Sequence, residues 1–258
     1  MKSAAFILKR HSVLAALGVA TFVATCVAAA PASLLTAVAS KARADISYHS
    51  IEGTIWRGKI SKLTGGGALI GDIEFRISPF SLLSLSPRAQ VKSANGAVRG
   101  EGVIAFGAGQ RIAVSDADFE IDLGPFAQRG VLGMPVKGEA RVSIEDVMLS
   151  RRGCLRAKGD VWTNVLEAPA RQYQTSGFPL NGDVSCDGDD FVLALAGEGG
   201  DGAAEMAIRL TPDFAYELTA SVLPAEDNVA TTLRFFGFED NDGALIYGSA
   251  GVLRGVGS

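Results

Sequence analysis

Apolar and polar residues alternate along most of the chain beyond residue 50. Apolar side chains hold every second position, with polar or small ones between them, in five segments: residues 73–77, 119–123, 141–145, 206–210 and 216–219. Successive side chains of a β-strand point to opposite faces of a sheet, so a period of two predicts strands with one buried and one solvent face. We therefore expect a β-rich domain.

Turn dipeptides recur along the same part of the chain. Asn-Gly or Asp-Gly occurs at residues 95–96, 181–182, 187–188, 201–202 and 242–243. These dipeptides favour the tight turns of β-hairpins. Short strands joined by such turns predict an all-β fold of mainly antiparallel sheets, arranged as a sandwich or an open barrel.

A weak internal repeat suggests that the β-domain has two similar halves. Gly53-Thr54-Ile55-Trp56 and Gly159-Asp160-Val161-Trp162 share a pattern, and they contain the only two tryptophans of the chain. The interpretation places the halves at residues 51–150 and 151–258.

Few segments favour a helix. Residues 225–236 are the best candidate, with Asp227 or Asn228 as the N-cap and Gly237 at the end. Short helical turns are expected at residues 79–85 and 124–132.

The N-terminal segment predicts a transmembrane helix. Positive residues at Lys2, Lys9 and Arg10 precede a run without charge from residue 12 to residue 40. A spanning helix needs about 20 apolar residues, whereas the apolar core of a cleaved signal has about 7 to 15. We expect a cytoplasmic N-terminus over residues 1–11, an anchor over 12–35, a linker over 36–50 and a periplasmic domain over 51–258. Cleavage at the small-residue patterns 28–30, 37–39 or 42–44 is the alternative.

Composition narrows the classes of partner. Hydrophobic residues make up 48% of the chain and charged residues 20%, so a core can form. The net charge of -4 gives no basic footprint for nucleic acid. We expect no nucleic-acid partner.

Two cysteines of the exported part suit a disulfide. Cys154 and Cys186 lie beyond the predicted anchor, and an even pair in an oxidising compartment favours a bond. Two unrelated buried thiols are the alternative. Cys26 lies within the apolar run and is interpreted as a packing or lipid-facing thiol.

Residues able to do chemistry are sparse, so we expect no enzyme, no cofactor and no bound metal. His49 is the only histidine beyond the anchor and is interpreted as an exposed linker residue. The acidic segment 239–243 is interpreted as a solvated turn, with a calcium loop as the alternative. A second acidic group is interpreted as part of a turn-like run, with catalysis by paired carboxylates as the alternative. It comprises Asp183, Asp187, Asp189 and Asp190.

Several segments, taken in order, resemble one known family. They are Ile-Glu-Gly-Thr-Ile-Trp-Arg-Gly-Lys-Ile at 51–60, Ser-Pro-Phe-Ser-Leu-Leu at 78–83, Gly-Asp-Val-Trp at 159–162 and the segment 233–243. This order resembles protein N of the type II secretion system, also called general secretion pathway protein N. The motif residues, expected to be structural, are Gly53, Trp56, Gly58, Gly159, Trp162, Gly237, Asp242 and Gly243. Phe75-Arg76 departs from the family pattern, in which a tryptophan is expected.

The resemblance implies a non-catalytic role in the Gram-negative cell envelope. The family is an accessory component anchored in the inner membrane, which aids assembly or stability of the machine for protein export. Expected partners are the inner-membrane platform, the secretin or both, with no small-molecule substrate. The alternative is a membrane-anchored periplasmic domain that binds or transfers lipid; an envelope-polysaccharide enzyme is a third interpretation.

The anchor gives a testable prediction. The full chain is expected to sediment with inner membranes and to resist extraction by salt. An uncharged apolar helix is held in the bilayer by hydrophobic burial and not by ionic contacts. A variant lacking residues 12–35 is expected to remain in the supernatant. Release of the full chain by salt alone would contradict an anchor, and fractionation with immunoblotting measures it.

Overall fold

The structure is a computed structural model that describes residues 25, 29–33, 46–65, 68–79, 81, 86–107, 109, 111–125, 137–172, 175–213 and 215–252. Most of the predicted anchor, residues 12–35, lies outside these residues. Its described residues 30–32 hydrogen-bond to Gly53 and Ile55, so they form part of the folded domain. Within them, no helix has both the length and the apolar character needed to cross a membrane.

Fifteen strands and two helices are found among the described residues. The strands are β1 (Ile46–Ser47), β2 (Ser50–Thr54), β3 (Arg57–Gly65), β4 (Ala68–Ile77), β5 (Arg88–Ser93), β6 (Val98–Gly107), β7 (Arg111–Asp122), β8 (Glu139–Ser150), β9 (Gly153–Thr163), β10 (Leu180–Asp187), β11 (Asp190–Gly199), β12 (Gly202–Leu210), β13 (Ala215–Pro224), β14 (Glu239–Asn241) and β15 (Ala244–Val252). The helices are α1 (Glu167–Gln172) and α2 (Asp227–Phe235).

Hydrogen bonds join all fifteen strands into one antiparallel sheet. From β3 to β13 each strand lies beside its neighbours in the sequence. At one edge β1 and β2 both pair with β3, and at the other β15 lies between β13 and β14. The predicted all-β, mainly antiparallel fold is confirmed. No pairing joins the two edges among the described strands, so their hydrogen bonding leaves the sheet open.

The sheet continues across the predicted boundary between two halves. Residues 150 and 151 lie where β8 turns into β9, and these strands pair from Ala140↔Thr163 to Ser150↔Gly153. The repeated tryptophans occupy different places. Trp56 lies in the two-residue turn between β2 and β3, whereas Trp162 lies inside β9. The division into halves stays a prediction.

Cross-strand pairing separates an apolar face from a polar face. Directly opposed residues of an antiparallel pair share one face. One row crosses eight strands with apolar or glycine residues: Phe119, Val142, Val161, Gly182, Leu195, Met206, Ala220 and Tyr247. The adjacent row on the other face starts Arg99, Glu120, Arg141, Trp162 and Asn181. The alternation of apolar and polar residues in the sequence therefore gives the sheet one continuous apolar face and one continuous polar face.

Two hydrophobic clusters stabilise the sheet from its apolar face. The first contains Leu180, which is fully buried, together with Phe178 and inward residues of β8 to β12. The second packs Ala230 of α2 against β13 and β15, where Leu245 is 1% exposed. Burying a Leu side chain stabilises a fold by roughly 1.5–3 kcal/mol.

Helix α2 confirms the predicted helix at residues 225–236. Its N-cap is Glu226, not Asp227 or Asn228, and no side chain caps the first turn. Gly237 ends the helix with a φ of 89°, and its N–H donates to the carbonyl of Arg234 at 3.0 Å. Helix α1 was not predicted, because six residues are too few to show a helical period. The helical turns expected at 79–85 and 124–132 lie mostly outside the described residues.

One predicted turn is wrong. Asn181-Gly182 lies inside β10, where Gly182 pairs with Val161 on one side and Leu195 on the other. A Cβ added to Gly182 would lie 1.7 Å from the carbonyl oxygen of Ala194. This glycine therefore permits close approach of two strands, and the dipeptide rule failed because it sees only local conformation. The other four dipeptides lie at strand ends.

Asp72 binds the irregular part of β3 to the strands beside it. Lys62 has a φ of 51° where the β3–β4 register shifts. The Asp72 carboxylate accepts the Lys62 N–H at 2.9 Å, the Lys59 ammonium at 3.0 Å and the Asn95 amide at 3.3 Å. The backbone hydrogen bond from Lys62, followed by those from Lys59 and Asn95, lowers the pKa of Asp72 to about 2.

This carboxylate predicts a loss of stability in acid. The pKa of Asp72 is lower in the folded state than the unfolded value of about 3.9. The contribution of its carboxylate to the free energy of unfolding is therefore complete at pH values above that unfolded pKa. It is lost as the pH falls towards 2. Asp72→Asn is expected to lower the urea midpoint at pH 6, and the gap from the unsubstituted protein is expected to narrow at pH 2.5.

The matched control is Glu198→Gln. Glu198 is exposed and makes no ion pair within the described part of the chain. Its substitution is expected to leave the urea midpoint unchanged at pH 6. If Asp72→Asn lowered the urea midpoint equally at pH 6 and at pH 2.5, the low pKa assigned to Asp72 would be contradicted.

Candidate functional site

The described residues contain no metal cluster and give His49 no catalytic partner. No group of three or more His, Cys, Asp or Glu residues among them could hold an ion. His49 is exposed between β1 and β2, and its backbone N–H donates to the carbonyl of Ser61 at 3.0 Å. Its observed contact therefore stabilises the sheet edge.

Asp187, Asp189 and Asp190 of the acidic group near Cys186 form structural contacts, whereas Asp183 lies opposite Asp160 in the pairing of β9 and β10. The Arg209 guanidinium on β12 binds Asp187 at 2.6 Å and Asp190 at 2.9 Å. Hydrogen bonds to Asp187 and Asp190 raise the pKa of Arg209. The carbonyl of Asp189 accepts the Cys154 N–H at 2.7 Å. These contacts hold β9, β11 and β12 together around the β10–β11 turn.

The acidic segment 239–243 is also structural. Asp240 on β14 binds Arg234 of α2 through both carboxylate oxygens, at 2.8 and 3.0 Å. Asp242 and Gly243 have φ angles of 48° and 92° and form the two-residue turn between β14 and β15. The arrangement agrees with the interpretation as a turn, because Arg234 occupies the carboxylate that a calcium ion would need.

Cys154 and Cys186 form a disulfide, as predicted. The bond joins β9 to β10 with their Cα atoms 5.6 Å apart. The last hydrogen-bonded pair of these strands is Asp160↔Asp183, so the disulfide lies beyond the point where their ladder ends. It therefore holds together two strand ends that hydrogen bonds between the strands do not.

Three motif glycines allow close contacts between strands. A Cβ on Gly53, which has a φ of 97°, would lie 2.4 Å from the Arg57 carbonyl oxygen. A Cβ on Gly58 would lie 2.6 Å from the Phe75 ring, and one on Gly159 would lie 2.5 Å from the Ser143 carbonyl oxygen. These contacts give each glycine a physical reason in the fold.

The polar face contains two broad depressions. The first, of about 760 Å³, is lined by charged residues of β3 to β6, among them the ion pair of Lys92 and Glu101 at 3.2 Å. The second, of about 730 Å³, is lined by residues of β6 to β10, including Trp162. Both are open surfaces on the charged side of the sheet.

We call the centre of the second depression the Trp162 surface, defined as Arg99, Glu120, Arg141 and Trp162. Glu120 lies 3.7 Å from both Arg99 and Arg141, and the Arg141 guanidinium lies 5.0 Å from the centroid of the Trp162 ring. Trp and Arg are enriched among residues that dominate protein–protein binding energy. The side chains of this surface suit recognition of another protein.

The sequence identified Trp162 but not the surface around it. Arg141 and Trp162 are opposed only because β8 and β9 pair in one register, with an irregularity between Ile144 and Asp146. A shift of one residue would place Arg141 beside an inward residue. Of the other motif residues, Trp56 accepts the Ile77 N–H through its carbonyl at 2.7 Å.

The chain matches the model of a known protein family. The family model described as type II secretion system (T2SS), protein N matches residues 44–246. Comparisons with curated proteins and with solved structures return no match. The matched segment begins before β1 and ends inside β15, so it contains nearly the whole sheet.

The disulfide gives a prediction for stability. Closing a loop of this length stabilises the fold by about 3.5 kcal/mol on the chain-entropy model, so the double variant Cys154→Ala/Cys186→Ala is expected to lose about that much unfolding free energy. Urea denaturation with and without dithiothreitol measures the loss. Dithiothreitol should lower the midpoint of the unsubstituted protein and leave that of the variant unchanged. An equal effect on both proteins would contradict a stabilising disulfide.

Proposed function

The chain belongs to the type II secretion system protein N family, and from this premise we propose that it is a non-catalytic accessory component of the secretion machine. It aids the assembly or stability of that machine during protein export across the outer membrane. Membership itself implicates the chain in type II secretion. The observation that carries the proposal is the extent of the match, because residues 44–246 include fourteen strands and the first three residues of β15.

The charge arrangement supports a role without catalysis. Three of the carboxylates that the sequence marked as candidates for chemistry have structural partners: Asp187 and Asp190 bind Arg209, and Asp240 binds Arg234. Family members are components of secretion machinery. The comparisons give no support to lipid binding, the alternative function.

The sheet is assigned to the periplasm and is held at the inner membrane by the apolar run that begins at residue 12. The uncharged run after Lys9 and Arg10 supports this orientation. Residues 30–32 of the expected anchor pair with β2 and belong to the sheet. The bond between Cys154 and Cys186 suits an oxidising compartment. In that location the sheet can reach both the inner-membrane platform and the secretin.

The Trp162 surface supplies the contact with a neighbouring subunit. It combines a partly buried indole, two guanidinium groups and one carboxylate on a concave surface. Such a surface binds a protein segment by stacking and by charge-assisted hydrogen bonds, without a cofactor. The expected partner is a subunit of the inner-membrane platform, the secretin or both.

A secretion assay tests this function. In cells deleted for the gene, the type II cargo is expected to accumulate in the periplasm, and the unsubstituted gene to restore its release. The variant Arg141→Glu/Trp162→Ala is expected to reduce release at least tenfold, because residues that dominate an interface contribute about 2 kcal/mol or more each. Immunoblots of periplasm and medium measure the distribution.

Arg152→Glu is the matched control. Arg152 is exposed in the β8–β9 turn, away from the Trp162 surface, and its charge reversal is expected to restore release fully. A photo-crosslinker at position 162 is expected to capture a platform subunit or the secretin, and one at position 152 is not. Normal release in the deletion strain would overturn the accessory role. Equal release by both variants would overturn only the assignment of the surface.

A further inference from the structure

Strand β15 has an outer edge that β14 covers only in part. Glu239–Asn241 of β14 pairs with the first three residues of β15, Ala244 to Ile246, while β15 continues to Val252. On its inner side β15 pairs with β13 along residues 245–252. Within the described chain, no strand pairs with the outer side of residues 247–252.

The register identifies which peptide groups point outward along this edge. The two-residue turn Asp242-Gly243 makes Asn241↔Ala244 a hydrogen-bonded pair, so the peptide groups of Ala244 face β14. Alternate residues face the same side, which makes the peptide groups of Gly248, Ala250 and Val252 point outward.

The opposite edge of the sheet verifies this rule. The two-residue turn after Thr54 predicts that the peptide groups of Gly53 point away from β3. The Gly53 carbonyl indeed accepts the N–H of Ala32 at 3.0 Å, outside the sheet. Counting alternate residues from a two-residue turn therefore correctly identifies the side of the strand to which the peptide groups point.

Among the described residues, nothing gives the outer edge of β15 at residues 247–252 the usual protection against pairing. Natural edge strands carry charges, prolines or bulges that block a further strand. Residues 248–252 read Gly-Ser-Ala-Gly-Val, without charge or proline, and Val252 is 62% exposed. The other edge is protected, since Pro31 forms a bridge with Thr54 and Ala30 accepts the N–H of Ile55.

We propose that this edge pairs with the same edge of a second copy of the chain. The two β15 strands run antiparallel about a twofold axis through Ala250, so that Gly248 of each copy faces Val252 of the other. This register satisfies the outward peptide groups of all three residues in both copies. The paired segment stops at Gly248, short of Ile246, where β14 begins to cover the edge.

Three observations favour a second copy as the occupant. The outward residues Gly248, Ala250 and Val252 carry no charge, so a symmetric pair places no like charges opposite each other. An isologous pair closes both open edges at once, whereas pairing with the opposite edge meets Pro31. Phe235 on α2, packed edge-on against Phe236 at 5.5 Å, is 84% exposed, and α2 packs against β13 and β15. A second copy would cover apolar surface beside the edge.

Disulfide trapping in the full-length protein tests the pairing. In a Cys26→Ala background, Ala250→Cys is expected to give a covalent dimer on mild oxidation, because opposed residues of a hydrogen-bonded pair have Cα atoms about 5.5 Å apart. Ala207→Cys is the control, since Ala207 is exposed on the polar face of β12, away from the edge. Non-reducing gels of oxidised membranes measure the dimer.

A second variant separates loss of pairing from loss of folding. Ala250 is exposed and its peptide groups face outward, so Ala250→Lys is expected to keep the urea midpoint while converting the detergent-extracted dimer to a monomer. Light scattering after size-exclusion chromatography measures the mass. Equal crosslinking of Ala250→Cys and Ala207→Cys, a dimeric Ala250→Lys, or a crosslink from position 250 to a different protein would each overturn the proposal. None of these outcomes depends on the secretion assay.

Discussion

Backbone hydrogen bonding between strands that are neighbours in the sequence is the constraint on which the rest of the structure depends. Every strand from β3 to β13 has partners on both sides, so this part of the sheet needs no other chain to satisfy its peptide groups. Unsatisfied groups remain only at the margins of the described sheet. The margin at β2 is covered by residues 30–32, and the margin at β15 is open beyond β14.

Charged side chains on both faces mainly stabilise the sheet. Asp72, Asp187 and Asp240 are each held by a basic side chain from a different strand or helix. These pairs lie at or near the surface, where ion pairs contribute little individually, so their role is to fix register and turn geometry. No cluster of carboxylates among the described residues is arranged for metal binding.

The two proposed contacts use different parts of the sheet. The Trp162 surface lies on the polar face of β6 to β9, whereas the open edge belongs to β15, five strands beyond β9 in the sheet order. Pairing of two copies through β15 would therefore leave both Trp162 surfaces open to other subunits. A dimer built in this way would present each partner site twice, which suits a component that joins parts of a larger assembly.

The sequence by itself determined the strand character, helix α2 and the partners of the disulfide, because alternation, helix-ending glycine and an even cysteine pair are local or countable signals. Only the tertiary structure decided that Asn181-Gly182 lies inside a strand, that Arg141 covers Trp162, and that β15 has an open edge. The physical reason is register: the period of two gives each residue its face, but which residues oppose each other depends on bulges and turns that local pattern does not encode.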